Sequence, residues 1–174
     1  IVYRHTQPYD DDNGIDISKP LFFTIFSEDT KASGFYRVDG DKGKRLAFED
    51  ARLFNLVKSK DTDRVIYQRM TFQNPPDLML TNMEFSAGKP ESKLNPQQEK
   101  FAWGKTELLS YKSRWGKELA GTLIYPADYV AGRSYPMVTY IYERLSDNFH
   151  SYQTPSDWSP YNAQVLSQNG YFVF

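Results

Sequence analysis

Nucleophilic and acid–base chemistry draws on a short list of side chains, and this sequence is sparing with them. It has no cysteine and two histidines, His5 and His150. That removes a thiolate nucleophile, thiolate metal sites and disulfides together. The histidines stand in neither the H-x-E nor the H-E-x-x-H spacing that metal sites use, so no metal and no cofactor is expected. No serine falls in G-x-S-x-G, the sharp strand-to-helix turn on which many hydrolases expose their nucleophile. The run Asp10-Asp11-Asp12-Asn13-Gly14-Ile15-Asp16 resembles a calcium loop in composition. Placing Gly14 at the loop's glycine position, however, puts Tyr9 where the first carboxylate must stand. The run therefore reads as a solvated acidic turn.

Composition narrows the class further. The 174 residues hold 21 Lys+Arg against 22 Asp+Glu, a net charge of −1, with the signs interspersed. A nucleic-acid partner would call for a basic stripe or domain, and none is visible. Hydrophobic residues at 40% and charged residues at 25% describe a globular chain. The longest apolar run, Leu21-Phe22-Phe23-Thr24-Ile25-Phe26, is strand-sized and far short of a membrane helix. Aromatics at 16%, including 13 Tyr and 12 Phe, point to β-structure. The chain opens on Ile1 without a leader pattern and closes on the apolar Tyr171-Phe172-Val173-Phe174, so it is expected to be an internal piece of a larger protein. Nothing in the sequence fixes a compartment.

The elements fall into two regimes. Through residue 104 the chain alternates short β-type runs with turn chemistry. Strands are expected at 21–26, 34–38, 53–57, 64–70 and 77–81, the last shielded from helix by Asn74-Pro75-Pro76. Asp39-Gly40-Asp41-Lys42-Gly43 and Ser59-Lys60-Asp61-Thr62-Asp63 read as turns. Residues 21–48 and 53–94 look like two successive meanders, with Phe22, Phe35, Tyr36, Phe54 and Tyr67 as their core. After Trp103-Gly104 the pattern changes. Strands at 108–113 and 118–125 bracket the turn Arg114-Trp115-Gly116-Lys117. A nearly all-apolar strand at 137–142 follows, of the kind covered on both faces. Ser159-Pro160 offers a helix start, Asn169-Gly170 its end, and residues 171–174 the next strand. Strand, helix, strand is a parallel crossover. The expected fold is mixed β and α/β, with about two β-propeller blades over 1–104 and the start of an α/β sheet over 105–174.

Five stretches in this order resemble the prolyl oligopeptidase family of serine peptidases, with its dipeptidyl peptidase IV and acylaminoacyl peptidase relatives. Gln73-Asn74-Pro75-Pro76-Asp77-Leu78-Met79-Leu80 is similar to the P-x-(D/E)-L-(Y/W) strand that ends those propellers, and Lys93-Leu94-Asn95-Pro96 to the x-L-T-x-x-N after it. The stretch from Ser113 to Pro126 resembles the first hairpin of the hydrolase domain. Tyr135-Pro136-Met137-Val138-Thr139-Tyr140-Ile141-Tyr142 resembles its Y-P strand, and Asn169-Gly170-Tyr171-Phe172-Val173-Phe174 the x-x-G-Y-x-V-x that follows. The resemblance implies an α/β-hydrolase domain beginning at 105 and ending here before the nucleophile, so the triad is not in this chain and the chain alone is expected to be inactive. It also implies that Tyr142 helps form an oxyanion hole, a contribution typically worth ~3–4 kcal/mol in a desolvated site. The family commonly continues Y-G-G-P, where this sequence reads Tyr142-Glu143-Arg144-Leu145. Glu143 and Arg144 are then candidates to line the mouth of the site, and His150 a candidate for the substrate channel or else a surface loop residue. Dipeptidyl branches anchor a substrate amine on propeller glutamates; nothing local singles out Glu28 or Glu49 for that role.

Three functions remain open from the sequence. One is a piece of a serine peptidase acting on oligopeptides, with the propeller as gate, peptide substrate and the rest of its own polypeptide as partners, and a homo-oligomer possible. The second is a non-catalytic propeller binding module. The third is an α/β-hydrolase acting on esters.

Overall fold

The computed structural model describes residues 1–6, 8 and 14–174 and is mostly β-sheet, with three four-stranded sheets and one short α-helix. Asp10, Asp11, Asp12 and Asn13 of the acidic run lie outside the described residues. Asp16 is described: its carboxylate accepts from the backbone and hydroxyl of Ser18, which holds its pKa below the ordinary value. Among the described residues no helix is long and apolar enough to cross a membrane, and no His, Asp and Glu cluster could hold a metal ion.

The chain forms two compact units that do not divide at a single point: Ile1–Met70 with Pro76–Leu94, and Thr71–Pro75 with Asn95–Phe174. The first unit contains two antiparallel meanders. Strands β1 (Val2–Thr6), β2 (Leu21–Phe26), β3 (Ser33–Asp39) and β4 (Lys42–Glu49) pair in chain order. So do β5 (Arg52–Lys58), β6 (Arg64–Met70), β7 (Asp77–Asn82) and the two-residue β8 (Lys89–Pro90). Their shared core is Phe22, Phe35, Leu53, Leu56, Val65 and Tyr67. Phe85 closes it, its ring 5.6 Å from both Tyr67 and Phe35. The Ser33 hydroxyl donates to the Ala51 carbonyl and accepts from Leu53 N–H, which stitches the two meanders at their buried end. Arg69 on β6 meets Glu49 on β4 at 2.7 Å.

Two of the expected core aromatics are corrected. Tyr36 and Phe54 are only half-buried. Successive side chains on a strand point to opposite faces, so Phe35 and Tyr36 cannot both enter one core, nor can Leu53 and Phe54. Tyr36 instead packs edge-on against Tyr3 of β1, and Phe54 lies beneath the Arg52 guanidinium. A second departure is the spacing on β5. Alternation from Leu53 would bury Asn55 and Val57. Asn55 instead takes a positive φ of 52° and the register slips between Phe54 and Val57, an inserted residue that shifts the strand's phase. Leu56 is consequently 5% exposed and its neighbour Val57 51% exposed.

The second unit carries one sheet in the order β11-β12-β10-β9. Strands β9 (Thr106–Lys112) and β10 (Glu118–Ile124) form a hairpin whose turn uses Gly116 at φ +78°. Strands β11 (Met137–Val138) and β12 (Phe172–Val173) are parallel, joined through helix α1 (Ala163–Gln168), and β12 pairs antiparallel to β10. Phe72, Ile124, Ala163 and Val173 are its core. The helix start is corrected: Asn162, not Ser159, is the cap, its side-chain oxygen accepting from Val165 N–H. Gly170 at φ +83° ends the helix as expected.

The bulge makes a sharp prediction. Leu56→Ala lowers stability by ~2–5 kcal/mol, whereas Val57→Ala stays within about 1 kcal/mol, read from urea midpoints of the two variants. Equal costs at the two positions would mean that β5 keeps plain alternation.

Candidate functional site

The site is built on the edge of the second sheet. The expected strand over 137–142 is corrected to β11, two residues long, because regular pairing with β12 runs out where β12 does. Nor is the segment covered on both faces: Ile141 is 86% exposed. The hydrogen-bond ladder nevertheless extends past the strand. Phe172 N–H donates to the Pro136 carbonyl, Phe174 N–H to Val138, and Tyr140 N–H to Phe174 at 2.8 Å. Tyr140 is thus the last residue fastened to the sheet, and its ring stacks on Tyr161 at 5.0 Å with the planes only 6° apart.

Upstream, the loop 126–136 that delivers β11 is held by a nest of rings. Tyr125, Tyr129, Tyr135 and Phe172 lie with centroids 5.0–5.9 Å apart, mostly edge-on or tilted, as their quadrupoles favour. The Tyr125 hydroxyl donates to Glu107, which holds the phenol's pKa above its ordinary value, and Lys105 sits 4.0 Å over the same ring. The Tyr135 hydroxyl accepts from Val130 N–H. These contacts fix the start of β11 against β12.

Behind the sheet, α1 is fastened by buried polar groups. Gln164, fully buried, donates to the Phe72 carbonyl, and Ser167 donates to Tyr125 at 2.7 Å. Gly104 packs against the same two groups, so closely that a β-carbon there would run into the Tyr125 carbonyl and the Ser167 hydroxyl. The far end of the site loop is tied to the helix by Asn162 donating to Thr154 and by Gln153 accepting from Ala163 N–H.

Between these anchors lie the residues singled out in the sequence. Tyr142 stands two residues past the last ladder bond, on no strand, with 60% of its surface exposed. Glu143 follows with φ +43°, a left-handed backbone conformation that costs an ordinary residue ~1–2 kcal/mol. Arg144 caps a 3₁₀ turn at Leu145–Asn148, its carbonyl accepting from Asp147 N–H. Tyr142, Glu143 and Arg144 therefore share one exposed turn at the carboxyl end of β11. His150 lies beyond the 3₁₀ turn, half-buried, its ring 4.7 Å from Phe149. Two features carried no sequence signal: the Tyr140–Tyr161 stack, which joins residues 21 positions apart, and the left-handed glutamate, a residue type not favoured there.

No family model matches the chain, and no curated protein matches it. Solved structures do. Porphyromonas gingivalis dipeptidyl peptidase 4 is similar over 98% of this chain and 24% of its own, at TM-score 0.68 and 18% identity. Pyrococcus horikoshii acylaminoacyl peptidase is similar over 99% and 25%, at TM-score 0.67 and 18% identity. The ligand-free AtxE2 isopeptidase is similar over 92% and 24%, at TM-score 0.65 and 21% identity. The chain thus spans about a quarter of the length of these peptidases and has the fold of that section of them.

Gly104→Ala is expected to destabilise the protein by about 1–3 kcal/mol, read as a lowered melting temperature, because neither the carbonyl nor the anchored serine can yield cheaply. An unchanged melting temperature would show that α1 is not locked to Tyr125.

Proposed function

We propose that this chain belongs to a serine-type peptidase acting on oligopeptides, with propeller blades over 1–104 and the first strands of an α/β-hydrolase domain over 105–174. The observation that carries the reading is the sheet of the second unit. An antiparallel hairpin, then a strand–helix–strand parallel crossover, sets Tyr142 at the carboxyl end of a parallel strand, where open α/β sheets place their sites. The likeness to acylaminoacyl, dipeptidyl and isopeptidase structures supports the peptidase class.

In the proposed reaction a serine outside these 174 residues attacks the scissile carbonyl, assisted by a histidine and an aspartate also outside them. Neither His5 nor His150 has a G-x-S-x-G serine in this sequence to serve. The phenol of Tyr142 donates a hydrogen bond to the oxygen as it gains negative charge. That bond strengthens between substrate and transition state and so accelerates the chemical step rather than binding. Its effect depends on water being excluded, and a phenol this exposed must be covered by bound substrate or by neighbouring polypeptide. Glu143 and Arg144 line the mouth, and His150 borders the substrate channel. The propeller blades act as the gate. No step requires a metal or a cofactor.

The test is fluorophosphonate labelling of the full-length protein beside the 174-residue chain. One serine beyond Phe174 takes the label, and the short chain takes none. Tyr142→Phe in the full-length enzyme then lowers kcat by ~10²-fold on peptide amides with little change in KM. A well-folded full-length protein that takes no label would instead be a propeller binding module. Labelling with turnover of simple esters but not amides would make it an esterase.

A further inference from the structure

We propose that Glu143 acts through its backbone, not its carboxylate, as the positioning residue that aims the Tyr142 phenol; the proposal rests on the oxyanion reading above. Four described non-glycine residues have positive φ, namely Lys31, Asn55, Phe85 and Glu143. For three of them the structure contains the compensation. Lys31 closes the β2–β3 turn through its N–H to the Ser27 carbonyl. Asn55 makes the β5 bulge and bonds Gln68 at 2.5 Å. Phe85 stacks in the core of the first unit.

Glu143 has no such return. Its side chain is exposed and makes no hydrogen bond or ion pair among the described residues. Strain that is held without a local contact to offset it is characteristic of functional turns. The geometry around it says what the strain achieves. The Tyr140 N–H bond to Phe174 fastens the chain two residues before Tyr142. The 3₁₀ turn that Arg144 caps lies against β10, which holds the chain again just after Tyr142. Between these fixed points an all-extended path would continue the line of β11. The left-handed Glu143 turns the chain out of that line, and Tyr142 is the residue immediately before the turn. With the chain held on both sides, the φ of Glu143 limits the backbone path through Tyr142 and so the directions its side chain can take.

This separates a backbone role from a side-chain role by the pattern of tolerated residues. Glycine and asparagine adopt positive φ readily, alanine less so and β-branched residues least. In the full-length enzyme, Glu143→Gly and Glu143→Gln, which reach positive φ at no greater cost than glutamate, are expected to lower kcat the least of the series. Glu143→Val should lower kcat by about 10-fold or more, because a small displacement of a catalytic donor is costly. Glu143→Ala, with the same β-carbon as glutamate, should behave like Glu143→Gln, and Glu143→Thr, β-branched but polar, like Glu143→Val, which keeps the series readable if the valine variant folds poorly; melting temperatures identify that case. KM should change little throughout. Combining Glu143→Val with Tyr142→Phe should be no worse than Tyr142→Phe alone, the non-additivity of two changes acting through one group.

Loss of activity in Glu143→Gln would overturn the proposal in favour of the carboxylate. Additive losses in the double variant would overturn it too, as would full activity in both Glu143→Val and Glu143→Thr. A normal kcat in Tyr142→Phe would remove the oxyanion reading itself. A lowered kcat there beside a normal one in Glu143→Val removes only the positioning role.

Discussion

The second unit depends on one short piece of backbone, Phe172-Val173-Phe174. A two-residue strand has no stability of its own; it persists here because both edges are paired. Val173 stands opposite Ile124 on the antiparallel side and Val138 on the parallel side, and is buried in the core that Ala163 and Phe72 complete. The N–H groups of Phe172 and Phe174 and the carbonyl of Phe174 all bond the incoming segment between Pro136 and Tyr140. The backbone hydrogen bonds that hold the chain just before Tyr142 all pass through those three residues. The buried Gln164 and Ser167 matter for the same reason. They prevent the helix, and with it β12, from sliding along the sheet.

The first unit solves a different problem with similar means. Its two meanders share a core whose large members are aromatic, and rings cannot be packed at arbitrary register. The bulge after Phe54 re-phases β5 so that Leu56 reaches the shared core, and the irregularity opposite Phe35 and Tyr36 inserts Leu46 into β4, where Leu46 and Ala47 both pack against that core. Glu49 and Arg69, and Arg37 with Asp39 and Glu84, then fill the more solvated margins with ion pairs. Being partly exposed, those pairs fix register more than they stabilise.

Much of this was legible from residues alone, because strand signals here are local. The run Leu21–Phe26 and the run Arg64–Met70 form strands over the bounds their composition suggests, and the glycine- and aspartate-rich turns between strands fall where positive φ is cheap. What sequence could not supply was set by contacts distant along the chain. The segment 137–142 has the composition of a buried strand, yet its length is decided by a partner 35 residues later that stops at Val173. Ser159-Pro160 is as good a helix start as Asn162 locally, and Asn162 prevails because its amide also reaches the Thr154 carbonyl. At the candidate site, Tyr142 was legible only through the resemblance carried by the Y-P strand. Glu143 in a left-handed conformation was not legible at all, since no propensity places a glutamate there.

The claim on which the account turns is that Tyr142 faces the developing oxyanion. The most direct measurement is the structure of the full-length protein with a phosphonate bonded to its labelled serine, whose phosphonyl oxygen stands in for the oxyanion. The account predicts the Tyr142 hydroxyl about 3 Å from that oxygen, with Glu143 still at positive φ. A phenol turned away, with the oxygen held by backbone N–H groups alone, would contradict it.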